Sequence, residues 1–295
     1  MHEMGPHHPE SPDRLDAISD RLIASGLDPH LVHHDAPAVT RKQLERVHEP
    51  DYIAAIEAAS PEQGVRYLDP DTAMNPSTWD AALRAAGAAV LATDLVAGGT
   101  AESAFCSVRP PGHHATRTRA MGFCIFNNVA VGAMHALEAH RLERVAIVDF
   151  DVHHGNGTEQ IFSGDKRVLM AGSFQHPFYP YSGTDHPAAN MFNVPLPAGT
   201  GSQGFREAVE RFWIPALDRF RPEMVFVSAG FDAHREDPLA GLKLVENDYT
   251  WVTREMIGAA ARYAQNRIVS SLEGGYSLSA LGRSAAEHVK ALIEA

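Results

Sequence analysis

Asp149, Asp151 and His153 occupy alternate positions in VDFDVHHGNGT (148–158), directly after the apolar run 145–148. On an extended strand this spacing points all three side chains to one side. Two carboxylates and an imidazole facing one way at the end of an apolar strand are unfavourable unless paired or metal-bound. Asp232 stands just after a second apolar run, 225–227. Two aspartates and one histidine make a three-ligand set for zinc and leave a position open for water. A purely structural zinc site favours cysteine, and Cys106 and Cys124 form no CxxC pair. His113 and His114 sit in a Pro-Pro-Gly-His-His turn (110–114). Neutral imidazoles there can take a proton from water and return it to a leaving amine. Each needs a partner to fix its tautomer: Asp149 is a candidate for one and Asn156 for the other. Tyr276 follows Gly274-Gly275, where its phenol can donate to a developing oxyanion. Each piece also has a plainer meaning: a hydrogen-bonded strand-end aspartate, a pair of turn histidines, a core tyrosine. Phe123 can line a tunnel or belong to the core. Cys124 has no argued triad, and no GxSxG elbow is present.

These groups must be placed by the elements before them. The apolar runs 144–150, 167–171, 224–228 and 268–272 read as buried parallel strands. Helical patterns over 77–97, 127–139 and 204–220 alternate with them, the first stopping at Gly98-Gly99. That alternation predicts an open α/β sheet with helices on both faces. The clusters RPPGHH (109–114), DFDVHHG (149–155), AGFD (229–232) and EGGY (273–276) each lie just after an apolar run. Parallel α/β sheets bind ligands at the carboxyl ends of their strands, so four clusters placed by one rule can meet.

With 295 residues, 44% hydrophobic and 21% charged, the chain can bury the core of one large domain. No repeat or low-complexity tract divides it. A net charge of −12 argues against direct nucleic-acid binding and mildly favours cationic ligands. The N-terminus lacks a signal-peptide pattern, no apolar run reaches membrane-span length, and two cysteines fit a reducing cytoplasm.

The stretches HPESPDRL (8–15), RPPGHHA (109–115), MGFCIFNNVA (121–130), VDFDVHHGNGT (148–158), SAGFDAHREDPLAG (228–241) and LEGGY (272–276) together resemble the histone deacetylase and acetylpolyamine amidohydrolase family over nearly the whole chain. The resemblance implies a single catalytic domain across 1–295 with an arginase-like α/β fold, a central, mainly parallel sheet flanked by helices. It implies one Zn²⁺ held by Asp151, His153 and Asp232, with His113 and His114 as the acid/base pair. Asp149 would orient His113, Asn156 would sit behind His114, and Tyr276 would polarise the acyl carbonyl. Gly122, Phe123 and Tyr179 would form the acyl-lysine tunnel, and Asp69 or Asp71 would grip the substrate backbone at the rim. A structural K⁺ would be held by Asp149, Asp151, His153, Ser173 and Phe174. Asn156 in place of aspartate, LEGGY in place of a glycine-only run, and Tyr276 rather than histidine resemble active class II enzymes. Leu239 stands where the eukaryotic polyamine-specific relative has a glutamate gatekeeper. Relatives begin with a strand and a loop ahead of the segment containing Met1, so that strand and one rim loop are expected to be missing. The implied activity is hydrolysis of an acylated amine. Acetylated protein lysine, acetylpolyamine, longer acyl-lysine and small acylated metabolites stay open as substrates, as does Fe²⁺ in place of zinc. Two other readings are a di-metal ureohydrolase, which needs more Asp and His ligands than are visible, and a catalytically inactive acyl-ligand binder.

Overall fold

Short apolar runs settle as strands when both of their faces can be covered. The computed structural model, which describes residues 1–5 and 7–294, places six of them in one sheet. A small antiparallel ribbon of β1 (Arg66–Asp69) and β2 (Thr72–Met74) precedes it. The sheet contains β3 (Ser103–Cys106), β4 (Val145–Asp149), β5 (Val168–Gln175), β6 (Met191–Leu196), β7 (Met224–Ala229) and β8 (Ile268–Leu272). Their spatial order is β3-β8-β7-β4-β5-β6, and every pairing is parallel.

The side-chain alternation of β4 builds two cores. Ala146 and Val148 join Leu169, Val225 and Val227 on one face, under helices Glu246–Tyr263 and Leu278–Ile293. Val145 and Ile147 join Met170 and Phe226 on the other, under Thr78–Ala97 and Asn128–Glu138. The helices expected over 77–97 and 127–139 thus form with boundaries moved by a residue. Gly98 stands at the C-cap of the first, and the Asn127 side chain caps the second by accepting from Ala130 N–H. The helix expected over 204–220 starts earlier, at Ser202, and contains a π-helical segment, Val209–Trp213, between two α segments. The strand expected over 167–171 runs on to Gln175. Gly172 and Ser173 look like its end in sequence, but β6 pairs along it as far as Gln175 opposite Leu196.

The winding of the sheet sets where the site lies. From β4 the chain steps outward to β5 and β6; from β7 it steps the other way to β8. β4 and β7 are neighbours, with Asp149 opposite Ser228, so the loops leaving their carboxyl ends diverge and open a crevice.

Two buried histidines on the structural side of the fold predict a pH dependence of stability. His48 donates from Nδ1 to the Thr116 carbonyl (2.8 Å) and accepts at Nε2 from Asn127 N–H (2.9 Å), which requires the neutral ring. His288 is held between the hydroxyls of Thr253 and Ser270. Burial lowers His48 to about 4 and His288 to about 3, from 6.5. Below about pH 6.5 the unfolded chain therefore binds protons that the native state refuses, and stability falls as pH drops towards the native values. The urea midpoint should decrease between about pH 7 and about pH 5, and decrease less in His48→Gln. Equal decreases in the two proteins would contradict the assignment.

Candidate active site

β4 ends at Asp149, and the chain then bends through residues 151–153 instead of continuing as a strand. The alternation expected from the sequence is corrected here, because the bend separates Asp149 from the other two. Asp149 Oδ1 accepts the N–H of Asp151, while Oδ2 lies 2.9 Å from His113 Nδ1. Asp151 and His153 turn towards Asp232 from the end of β7. His153 Nδ1 lies 3.0 Å from Asp151 Oδ1 and 3.2 Å from Asp232 Oδ2. One ligand atom from each of the three falls within 4.8 Å of the others. Asp232 is fully buried, and its Oδ2 has no hydrogen-bond partner. A buried carboxylate oxygen left bare beside two other donors is the arrangement a divalent cation completes.

The electrostatics agree. Burial opposes charge on His153, but the hydrogen bond to Asp151 and the adjacent carboxylate of Asp232 outweigh it and hold the ring up to about 10, so the pocket favours a cation. Burial and the Asp151 charge push Asp232 above the ordinary carboxylate range. Gly274 lets β8 close over this cluster. Its N–H donates to Asp151 Oδ2 at 2.8 Å, and a Cβ there would lie 2.0 Å from Asp232 Oδ2.

The Pro-Pro-Gly-His-His turn follows β3 and lays both imidazoles beside Asp151, His153 and Asp232. The rings of His113 and His114 are 4.1 Å apart, and His114 lies 5.7 Å from His153. His114 Nδ1 donates to Asn156 Oδ1 at 2.7 Å, which leaves Nε2 as the lone-pair nitrogen. The two rings differ in proton affinity, whereas the sequence reading gives both near-ordinary values. Burial opposes charge on His113, yet Asp151, Asp149 and Glu273 raise it well above the usual range. Burial, with the charges of His113 and His153, drives His114 well below it. Tyr276 comes from the loop after β8. Its ring lies 5.8 Å from Phe123, and the Arg14 guanidinium sits 5.0 Å from its centroid. Burial raises its phenol far above the ordinary value, so the hydroxyl keeps its proton.

Gly122, Phe123 and Tyr179 stand around this cluster. Gly122 adopts φ +57, and a Cβ there would meet the His114 ring at 2.3 Å, so only glycine fits. Tyr179 packs edge-on to His114 (5.3 Å) and His153 (6.0 Å). Asp71 Oδ1 accepts from Gly122 N–H at 3.0 Å, whereas Asp69 is engaged by Arg119. Leu239 is half-buried on a loop held by Asp237. Ser173 lies one residue beyond the β5 partner of Asp149, and its buried hydroxyl has no hydrogen-bond partner.

Residues 8–292 match the histone deacetylase domain family. A histone deacetylase-like amidohydrolase from Pseudomonas aeruginosa is 39% identical over 277 residues, covering 92% of this chain and 73% of that protein. A probable deacetylase from Archaeoglobus fulgidus is 35% identical over 285 residues, covering 94% of this chain and 79% of that protein. The chain belongs to the histone deacetylase family. The crystal structure of the HDA15 HD domain superposes with a TM-score of 0.93 at 34% identity, covering 99% of this chain and 86% of that one. Fold and family agree with the arginase-like expectation, and this histone deacetylase family member is a hydrolase acting on amide bonds.

Several residues that build this candidate site escaped the sequence reading. Phe178 stacks on His153 with ring centroids 5.5 Å apart. Asp237 Oδ2 accepts from the N–H groups of Tyr276 (2.7 Å) and Ser277 (3.2 Å). Arg14 donates to the carbonyls of Gly275 and Glu273, and is paired with the buried Glu10. Arg14 lies in the matched stretch HPESPDRL, and its further sequence hint is a charge on the inward side of an otherwise amphipathic helix, Asp13–Ala24. A second group of ligand-type residues, Asp94, His135 and His140, lies away from these clusters. There Arg46, which can only donate, lies 3.0 Å from His135 Nδ1. That leaves the proton on His135 Nε2, facing Asp94 at 2.8 Å, so the group is a hydrogen-bonded network rather than a metal centre. Both cysteines are buried and free, and no helix among the described residues is long and apolar enough to cross a membrane.

Proposed function

We propose that the chain is a zinc-dependent deacetylase of the cytoplasm that removes an acetyl or similar acyl group from a lysine side chain. One observation carries the reading: a bare, buried carboxylate oxygen of Asp232 converges with Asp151 and His153 beside two imidazoles of opposite proton affinity. Asp151, His153 and Asp232 would hold the ion. Zinc bound there supplies Lewis acidity, acidifying a water and polarising the acyl carbonyl. His114, neutral and presenting Nε2, takes the proton of the attacking water. His113, charged and held by Asp149, stabilises negative charge in the transition state, and a protonated ring of the pair returns a proton to the leaving amine. Tyr276 donates its hydroxyl proton in a hydrogen bond to the developing oxyanion. Gly122, Phe123 and Tyr179 enclose the acyl-lysine stem, and Asp71, already braced against Gly122, grips the substrate backbone. A structural K⁺ beside the site is supported by the unpartnered Ser173 hydroxyl next to the end of β4. Backbone groups of Asp149, Asp151, His153 and Phe174 would complete that site. The domain would span 1–295.

Leu239 supports lysine over polyamine, since an apolar side chain offers nothing to a second ammonium group. The test is a kinetic panel of acyl-lysine peptides and acetylpolyamines on zinc-quantified protein, with and without chelator. Turnover of acetyl-lysine that a chelator removes and zinc restores is the expected result, with higher kcat/KM than on acetylpolyamines. Chelator-insensitive turnover, or none on any acylated amine, would overturn the reading.

A further inference from the structure

Glu273 distinguishes LEGGY from a glycine-only run, and beyond its share in raising His113 the chemistry above leaves its hydrogen bonds without a task. It is completely buried at the end of β8. Its Oε2 accepts the N–H of Gly112 at 2.6 Å and the N–H of His113 at 3.0 Å, the two amides at the heart of the turn that carries the histidine pair. Its Oε1 lies 3.5 Å from the Ser228 hydroxyl on β7. Its own backbone is fixed on both sides: N–H to the Ala229 carbonyl at 3.0 Å, and carbonyl to Arg14.

We propose that Glu273 is a positioning residue for deacylation, setting the distance between the histidine pair and the Asp151–His153–Asp232 cluster through the backbone of the Pro-Pro-Gly-His-His turn. The proposal rests on the functional reading given above. The following residue, Gly274, binds Asp151 through its N–H, and Tyr276 follows two positions later. One rigid segment therefore indexes the base turn, a metal ligand and the oxyanion donor against each other. What matters is the reach of the Glu273 side chain, since a carboxyl oxygen accepts from the two amides in either protonation state. Burial, with the nearby Asp149 charge, holds this group up to about 7, so it works without needing full ionisation. A shift of about 1 Å in a catalytic group can slow a reaction by about 10²-fold without touching ground-state binding.

Three variants separate reach from charge and from bulk stability. Glu273→Gln keeps the length and one acceptor oxygen, with its NH₂ turned towards Ser228. Glu273→Asp keeps a buried carboxyl but withdraws it from both amides. Glu273→Ala removes it. The measurements are zinc content, kcat and KM on an acetyl-lysine peptide. Glu273→Gln should retain kcat within about threefold, while Glu273→Asp and Glu273→Ala lose about 10- to 10²-fold in kcat with bound zinc and KM nearly unchanged. If the alanine variant does not fold, the aspartate variant decides alone. Normal kcat in Glu273→Asp, a glutamine variant as slow as the aspartate one, or a loss accompanied by zinc release would overturn this inference alone. Absence of turnover in the unmodified protein would overturn the functional reading and this inference with it.

Discussion

Asp151→Ala should purify without stoichiometric zinc and lose turnover by at least roughly 10³-fold, because several kcal/mol of transition-state stabilisation depend on the bound ion. Asp151 contributes more than one ligand oxygen to this outcome. Its Oδ1 lies 3.0 Å from His153 Nδ1 and also accepts His153 N–H at 2.8 Å, so the same carboxylate shapes the bend that delivers the histidine. Its Oδ2 accepts Gly274 N–H at 2.8 Å. The alanine variant would leave buried donors unsatisfied on two strand ends, and a drop in Tm should accompany the loss of metal. Zinc content measured on folded protein separates the two effects. A folded variant with one zinc per chain would contradict the ligand set.

Tyr276→Phe should keep its zinc and lose roughly 10²-fold or more in kcat. Removing one hydroxyl leaves the ring contacts in place: Phe123 on one side and the Arg14 guanidinium on the other are satisfied by phenyl as well as phenol. The backbone at 276 is tied independently, through its N–H, to Asp237. The variant thus isolates the hydrogen bond to the oxyanion from the placement of the residue. KM should change little, since the interaction strengthens only as charge develops on the acyl oxygen. Near-normal kcat would remove Tyr276 from the reaction.

The two experiments probe different links. The first asks whether the chain can hold the ion; the second asks whether a phenol reached from β8 meets the charge that the reaction creates. A zinc-replete but slow Tyr276→Phe alongside a zinc-free Asp151→Ala would identify the end of β4 as the metal centre and the end of β8 as the oxyanion side.

The sequence alone determined the layer architecture and which strand ends bring the central residues of the candidate site. Uninterrupted apolar runs such as 145–148 are buried on both faces, so they announce parallel strands, and a convergence of polar residues just beyond them marks the edge where a ligand can bind. His113, His114, Asp151, His153 and Asp232 were legible for that reason, and the family resemblance added their roles. What only the tertiary structure decided was orientation. The bend after Asp149 turns that carboxylate to His113 and away from His153, a difference that alternate spacing cannot express because it assumes a strand that continues. The opposite proton affinities of His113 and His114 arise because Asp151, Asp149 and Glu273, all distant in the chain, raise His113 against its burial, whereas burial, the adjacent His113 and the distant His153 lower His114. Arg14, Asp237 and Glu273 lie in the matched stretches, but their tasks were not legible since each acts on backbone groups of a distant loop. Backbone hydrogen bonds leave no trace in residue type, and only the meeting of β3, β7 and β8 at one edge of the crevice brings them into range.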